Sequence, residues 1–286
     1  MKGKLTKKKG LQNRGYLFMA DKGRLHKWLL QSLVFCSCLF LPLSGLSFVG
    51  RGLKISTKYG ELIVDSTYDC VAEPEAKAFL EKYTQKLDSV TQQVIGILGH
   101  DMEIRQPECE LYNLIGDMMV WAAAQYGDSV DMAFCNEGNV RNSLARGKVR
   151  YGDAISVLPF ENRLAVLTLD GKNMMKLFET ITVWKGVPVS HGVEMKMTAE
   201  GKLVSVLLNG KAIDPSRSYR IVTNDYILEG NDNFTMLKNG RDVKIYGETG
   251  DEKVIFYNLF AEYIKAVTKQ KGVVNVNIEG RIKIAE

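Results

Sequence analysis

The chain has 286 residues, with 38 Lys/Arg against 33 Asp/Glu, three histidines and five cysteines. That length buries a real core, as one large domain or two small ones. Three histidines without an HExxH or DxH pair exclude a multi-histidine metal centre, and no GxxxxGK[ST], GxGxxG or GxSxG motif occurs. A lone Ser–His–Asp set survives the count, but His100 (LGHD) and His191 (VSHG) sit in turn-like contexts that predict surface residues.

Charge is unevenly spread. Residues 1–27 hold nine basic side chains and one acid, and residues 28–47 hold none, which leaves 29 basic against 32 acidic residues from position 48 onward. The basicity belongs to the leader, so the body offers no charge argument for nucleic-acid binding. The leader has a basic region ending at Lys27, an apolar run of about 16 residues from Trp28 to Leu43, then Ser44, Gly45 and Ser47. This predicts a secretory signal over residues 1–47; a membrane-spanning helix needs roughly 20 apolar residues. A start at Met19 would give a more ordinary signal. Cys36 and Cys38 are candidate lipid acceptors, although Phe35 and Ser37 before them match a lipoprotein signal poorly. Export to the periplasm, outer membrane or cell exterior is expected, with membrane contact only through the signal or a lipid.

Residues 48–72 alternate apolar and polar residues in short pieces and read as an extended segment. Pro74 can begin a helix, and Phe79, Leu80, Tyr83, Leu87 and Val90 follow helical spacing. A second helix is predicted over 108–126, with Leu111, Leu114, Ile115, Met118 and Ala122 on one face and Gly127 as its stop. VDMAF (130–134) reads as a buried strand, 149–163 as a turn and an irregular segment, and Leu164–Leu169 as a strong strand. Met174, Leu177, Phe178 and Ile181 mark a third helix. Glu200-Gly201 and Asn209-Gly210 predict consecutive hairpins, YRIVTN (219–224) another strand, and Phe256 to Val267 the inward face of a fourth helix ending at Gly272. VVNVNIEGRIKI predicts a closing hairpin. Helices and antiparallel strands mix without βαβ alternation, so the fold class is α+β, with mixed or antiparallel sheets and helices on their outer faces. Cys70, Cys109 and Cys135 form neither a disulfide framework nor a zinc pattern; buried free thiols are expected, with one bridge as the alternative in an oxidising compartment.

Polar groups concentrate at the ends of these elements. Arg105 and Arg141 suit phosphate or ribose hydroxyls, Phe160 and Tyr226 suit a flat ring, and Asn162, Asn231 and Asp232 suit a base or sugar. The set fits a nucleotide. The order of motifs also resembles the C-terminal, substrate-binding domain of the 5′-nucleotidase family over residues 73–286. PEAKAFLEKYTQKLD (74–88), RQPECELYNLIGDMM (105–119), NEGNVR (136–141), YGD (151–153) with PFEN (159–162), and TNDYILEGNDNF (223–234) are similar to that family's segments in order and interval.

The resemblance implies ligand contacts for Arg105, Asn136, Gly138, Arg141 and Asn162, a base held between Phe160 and Tyr226, and a ribose held by Asp232. Glu137, Gly138 and Asn139 stand where the family has three glycines, and Glu110 and Tyr112 replace its usual Asn and Gly. Asn tolerates a left-handed backbone, whereas Glu137 would bring a negative charge near a phosphate. Family enzymes also carry a metallophosphoesterase domain with a two-metal site, for which the residues before Glu73 leave no room. No cofactor is therefore expected in this chain. The expected function is nucleotide or nucleoside recognition within a split 5′-nucleotidase, with the divalent metals on a separate metallophosphoesterase polypeptide and no hydrolysis by this chain alone. A stand-alone nucleotide-binding module and a domain kept only for assembly are the alternatives.

Overall fold

The computed structural model describes residues 74–247 and 250–285. The expectations for the leader, for residues 48–72 and for Cys70 lie outside the described residues.

The fold is organised around a four-stranded sheet in the order β2 (Met132–Ala133), β8 (Ser218–Asn224), β4 (Leu164–Asp170), β9 (Arg241–Ile245). β2 runs parallel to β8, and β4 runs antiparallel to both β8 and β9. β4 is apolar at five of its first six positions, with Thr168 the exception, because both of its faces are covered. Leu164 and Val166 enter one apolar cluster with α2 (Glu110–Gln125) and α6 (Phe256–Lys271). Ala165, Leu167 and Leu169 enter a second cluster with α4 (Gly171–Val183). The mixed α+β class expected from sequence is the class observed.

The second helix forms as its spacing predicts. Leu111, Leu114, Ile115, Met118 and Ala122 are all buried, and Gly127 takes the left-handed φ of 81° that ends the helix. Gly116 is required by packing: a Cβ there would lie 2.3 Å from the Val189 carbonyl oxygen. The helix therefore touches the 189–190 loop backbone to backbone. α4 starts at Asp170, whose carboxylate accepts the Asn173 N–H at 2.8 Å. That bond and its companions hold the Asp170 carboxyl below its ordinary range.

The predicted hairpins appear as β5 (Val193–Met197), β6 (Leu203–Leu208) and β7 (Lys211–Ala212), with Asn209 and Gly210 at φ 52° and 73° in the two-residue turn.

Two expectations need correction. The segment after β3 (Gly147–Arg150) is not irregular: Tyr151–Val157 is a short helix, α3, with Ala154 and Val157 buried. Two inward side chains are too few to announce it by period. The closing hairpin does not form. Val274 bridges to Leu98 of β1 (Val94–Leu98), whereas β10 (Ile282–Ile284) lies parallel to β5. Val274 and Ile282 belong to different apolar clusters, so their segments separate. The first helix, α1 (Pro74–Thr91), forms, but none of its residues is buried, and the stripe from Phe79 to Val90 stays 45–62% exposed.

The C-terminus is fastened by Arg281, only 2% exposed. Its guanidinium donates to Asp117 Oδ1 and Oδ2 at 2.8 and 2.7 Å, to the Val189 carbonyl at 2.8 Å and to Glu279 at 2.9 Å. Burial alone would push this guanidinium down, but the two carboxylates outweigh it and hold it above its ordinary value. His191 is exposed, as predicted, and its Nδ1 meets Glu279 at 2.8 Å. Among the described residues, no helix is long and apolar enough to cross a membrane.

Candidate functional site

The site lies where three strands of the central sheet meet their loops. The parallel strands β2 and β8 end there and antiparallel β4 begins there, so the 134–141, 158–163 and 224–234 segments converge. β2 is held to β8 by the Phe134 N–H donating to the Val222 carbonyl at 3.1 Å. Past it, Asn136 opens one turn of 3-10 helix (Glu137–Asn139), and the Arg141 N–H returns to the Val157 carbonyl at 2.9 Å. Arg163 and Asp225, the first residue of the one-turn helix α5 (Asp225–Leu228), pin the other two segments together. The Arg163 N–H donates to the Asp225 carboxylate at 2.9 Å, and the Asp225 N–H donates to the Arg163 carbonyl at 3.0 Å. That double clasp sets the spacing between Phe160 on one segment and Tyr226 on the other.

A cavity of about 310 Å³ opens between these loops. Seven of the eight residues singled out from sequence line it: Asn136, Gly138, Arg141, Phe160, Asn162, Tyr226 and Asp232. Both aromatic rings are partly exposed, Phe160 at 39% and Tyr226 at 44%, which leaves apolar faces free for a guest. The Arg141 guanidinium stands 5.3 Å from the Phe160 ring centroid. Arg105 is not among the lining residues; it donates to Glu110 at 3.1 Å across the start of α2.

Behind the cavity runs a chain of amides. Buried Asn224 donates through Nδ2 to Asn136 Oδ1 at 3.0 Å, and Asn136 donates through Nδ2 to Asp232 Oδ2 at 2.7 Å. Asp232 Oδ1 accepts a longer bond, 3.4 Å, from the Tyr226 hydroxyl. Asp232 and Asn233 both take left-handed φ, 54° and 66°, just after Gly230 at 81°. The turn is further held by Asn231 Nδ2 donating to the Tyr226 carbonyl at 2.7 Å.

The replaced glycines separate in role. Glu137 is outside the cavity lining; the hydroxyl of Tyr112 is pushed up chiefly by burial, and the Glu137 charge adds to that shift. Asn139 does line the cavity and is only 1% exposed. Its Oδ1 accepts from Asn162 Nδ2 at 2.8 Å, while its Nδ2 has no hydrogen-bond partner within the protein's described residues.

Trp184 was missed by sequence reasoning. It caps the C-terminal end of α4, lines the cavity and donates its indole N–H to the Asp232 carbonyl at 3.0 Å. Only an aromatic residue just past a predicted helix could have signalled it.

Cys109 and Cys135 are free and buried. Burial pushes the Cys135 thiol up to about 12, and the neighbouring Asn139 side chain opposes that shift more weakly. Among the described residues, no group of three or more His, Cys, Asp or Glu could hold a metal ion. The cavity presents the Phe160, Trp184 and Tyr226 rings, one guanidinium, one carboxylate and several amides.

That architecture is shared with a known class of α+β domain. The sequence profile of the family described as 5′-nucleotidase, C-terminal domain, matches residues 89–239, so the chain belongs to that family. A 5′-nucleotidase of Diplobatis ommata is 27% identical over 267 residues, covering 82% of this chain and 44% of that protein. The Trifunctional nucleotide phosphoesterase protein YfkN of Bacillus subtilis (strain 168) is 26% identical over 263 residues, covering 85% of this chain and 17% of its own length. Among solved structures, a 5′-nucleotidase precursor from Thermus thermophilus superposes with a TM-score of 0.64 at 29% identity, over 75% of this chain and 44% of that one. The chain thus spans less than half the length of each of these relatives.

Proposed function

We propose that this protein binds a nucleotide or nucleoside in the cavity between Phe160 and Tyr226. In this reading it is the substrate-recognition part of a split 5′-nucleotidase, with hydrolysis supplied by a metallophosphoesterase polypeptide carrying the divalent metals. The observation that carries the reading is the convergence of two half-exposed aromatic faces, Arg141 and Asp232 on one cavity. The rings would hold the base, Asp232 would accept from ribose hydroxyls, and Arg141 would face the phosphate. The basic and apolar leader supports export of the chain, which N-terminal sequencing of the mature protein from its host would check.

Calorimetry with AMP and adenosine tests the binding reading. Saturable binding is expected, weakened about 10- to 100-fold in Phe160→Ala and in Tyr226→Ala, because stacking on an aromatic is worth roughly 1–3 kcal/mol per base. No heat with any nucleoside or nucleotide would sink it. The split-enzyme reading expects no AMP hydrolysis by the purified chain with Mn²⁺ or Zn²⁺, and recovery of a metallophosphoesterase in a pull-down. Hydrolysis by the chain alone, abolished with its own variants, would overturn it.

A further inference from the structure

A second cavity, of about 370 Å³, lies beside the first and has the opposite chemistry. Its cations, Arg146, Lys148 and Arg150, come from β3 and the loop before it, and its hydroxyls from Ser143 and Ser156. From Gly138 to Gly152 the sequence holds four cations, Arg141, Arg146, Lys148 and Arg150, and no acid, although the body from position 48 is slightly acidic overall. All four are exposed. Among the described residues, none of their side chains makes an ion pair, whereas Arg105, Arg217, Arg220 and Arg281 each do.

The remaining polar groups sharpen the point. Ser143 Oγ accepts from the Ile104 N–H at 3.0 Å, and Ser156 Oγ accepts from Asn142 Nδ2 at 2.6 Å, so each hydroxyl still has its own proton to donate. One carboxylate, Asp153, lines the cavity with the three cations, and a second, Asp101, stands beside it. Asp153 Oδ2 is taken by the Arg150 N–H and Asp101 Oδ1 by the Arg146 N–H, both at 2.6 Å. Three cations against one lining carboxylate leave the cavity net positive and richer in donors than in acceptors. A guest that satisfies it must be anionic and carry several acceptor oxygens.

We propose that this cavity is an anion site that takes a phosphoryl group. Only the Arg141–Asn142 turn separates it from the first cavity. Arg141 lines the first and Ser143 the second, Phe160 lines the first and Ser156 the second, and the Asn142–Ser156 bond closes the partition. The phosphoryl group has two sources, free orthophosphate or the distal phosphate of a ligand whose base sits at Phe160. The second source rests on the nucleotide reading above; the first does not.

Inorganic phosphate titrated into the full chain at constant ionic strength, followed by amide NMR, tests the site. The expected result is saturable shifts over 143–156, with affinity about tenfold lower or worse in the Arg146→Gln/Lys148→Gln/Arg150→Gln variant, since charge-assisted bonds are lost. Phe160→Ala should leave this binding unchanged, which separates failure here from failure of the first cavity. The three side chains are exposed, and an unaltered thermal transition would show that the variant folds. Calorimetry with AMP and ADP distinguishes the sources. Phosphate affinity unchanged by saturating AMP assigns free phosphate; a tenfold gain of ADP over AMP that vanishes in the triple variant assigns a carried phosphate. Unsaturable phosphate shifts together with equal ADP and AMP affinity overturn the proposal, as does saturable binding that the triple variant keeps in full.

Discussion

Two polar clusters in this molecule use similar residues to opposite ends. Around Arg281, the buried guanidinium is matched by Asp117, Glu279 and two backbone carbonyls, so every partner comes from the chain, although both carboxylates reach the surface. Around Asn136, the bonds to Asn224 and Asp232 fix the frame, but Asn139 Nδ2 is left without a partner among the described residues, and Arg141, Phe160 and Tyr226 face open space. A polar group whose partners are all supplied by the chain is a fastener. One whose frame is supplied but whose remaining valence is not is open to a partner from outside the chain, water included.

The comparison predicts which variants lose the fold and which lose only recognition. Arg281→Met should have the largest effect on stability, a loss of about 3 kcal/mol or more, because two carboxylates and two carbonyls lose their shared donor; urea denaturation measures it, and a loss below about 1 kcal/mol would dissolve the distinction. Asn136→Ala should cost about 1–2 kcal/mol, since buried Asn224 loses its acceptor, and should also weaken nucleotide binding in calorimetry.

Next comes an effect of pH. Folding holds the Cys135 thiol protonated up to about 12, against an ordinary value of 9.0. Between those values the folded chain keeps a proton that the unfolded chain releases, so stability falls as pH rises through that window and is unaffected by this group below it. Urea midpoints should drop above about pH 9, with a shallower slope in Cys135→Ala. The smallest change in stability, within about 0.5 kcal/mol, is expected for Asp232→Asn, because Asn tolerates its left-handed φ. The same variant should bind adenosine about tenfold more weakly, having lost an ionised acceptor. If it instead unfolds, Asp232 belongs with the fasteners.

Much of this was legible in the chain. Helical spacing located α2 and α6, the Asn-Gly turn fixed a hairpin, and the largely apolar run of β4 announced a strong strand. The loops carrying Asn136, Phe160, Tyr226 and Asp232 could be singled out because each concentrates polar or aromatic residues at a strand end. What stayed hidden depended on partners distant in sequence. Val274 and Ile282 look like two arms of one hairpin until the separate clusters that claim them are known. Trp184 reaches the cavity only because α4 ends against the Asp232 turn. Arg105 stands outside the cavity lining and pairs with Glu110, an arrangement that spacing alone does not announce. The stripe of α1 predicted a helix correctly, but spacing cannot say whether anything covers it.

β4 carries one further implication. Its alternate residues serve two different interiors, Leu164 and Val166 on one side and Ala165, Leu167 and Leu169 on the other. Inserting a single residue into it would exchange the clientele of both at once. The strand works as a party wall: neither interior can be dismantled while the other stands, and the loops framing the cavity are built into its end. The receptor thus shares the foundations of the whole building.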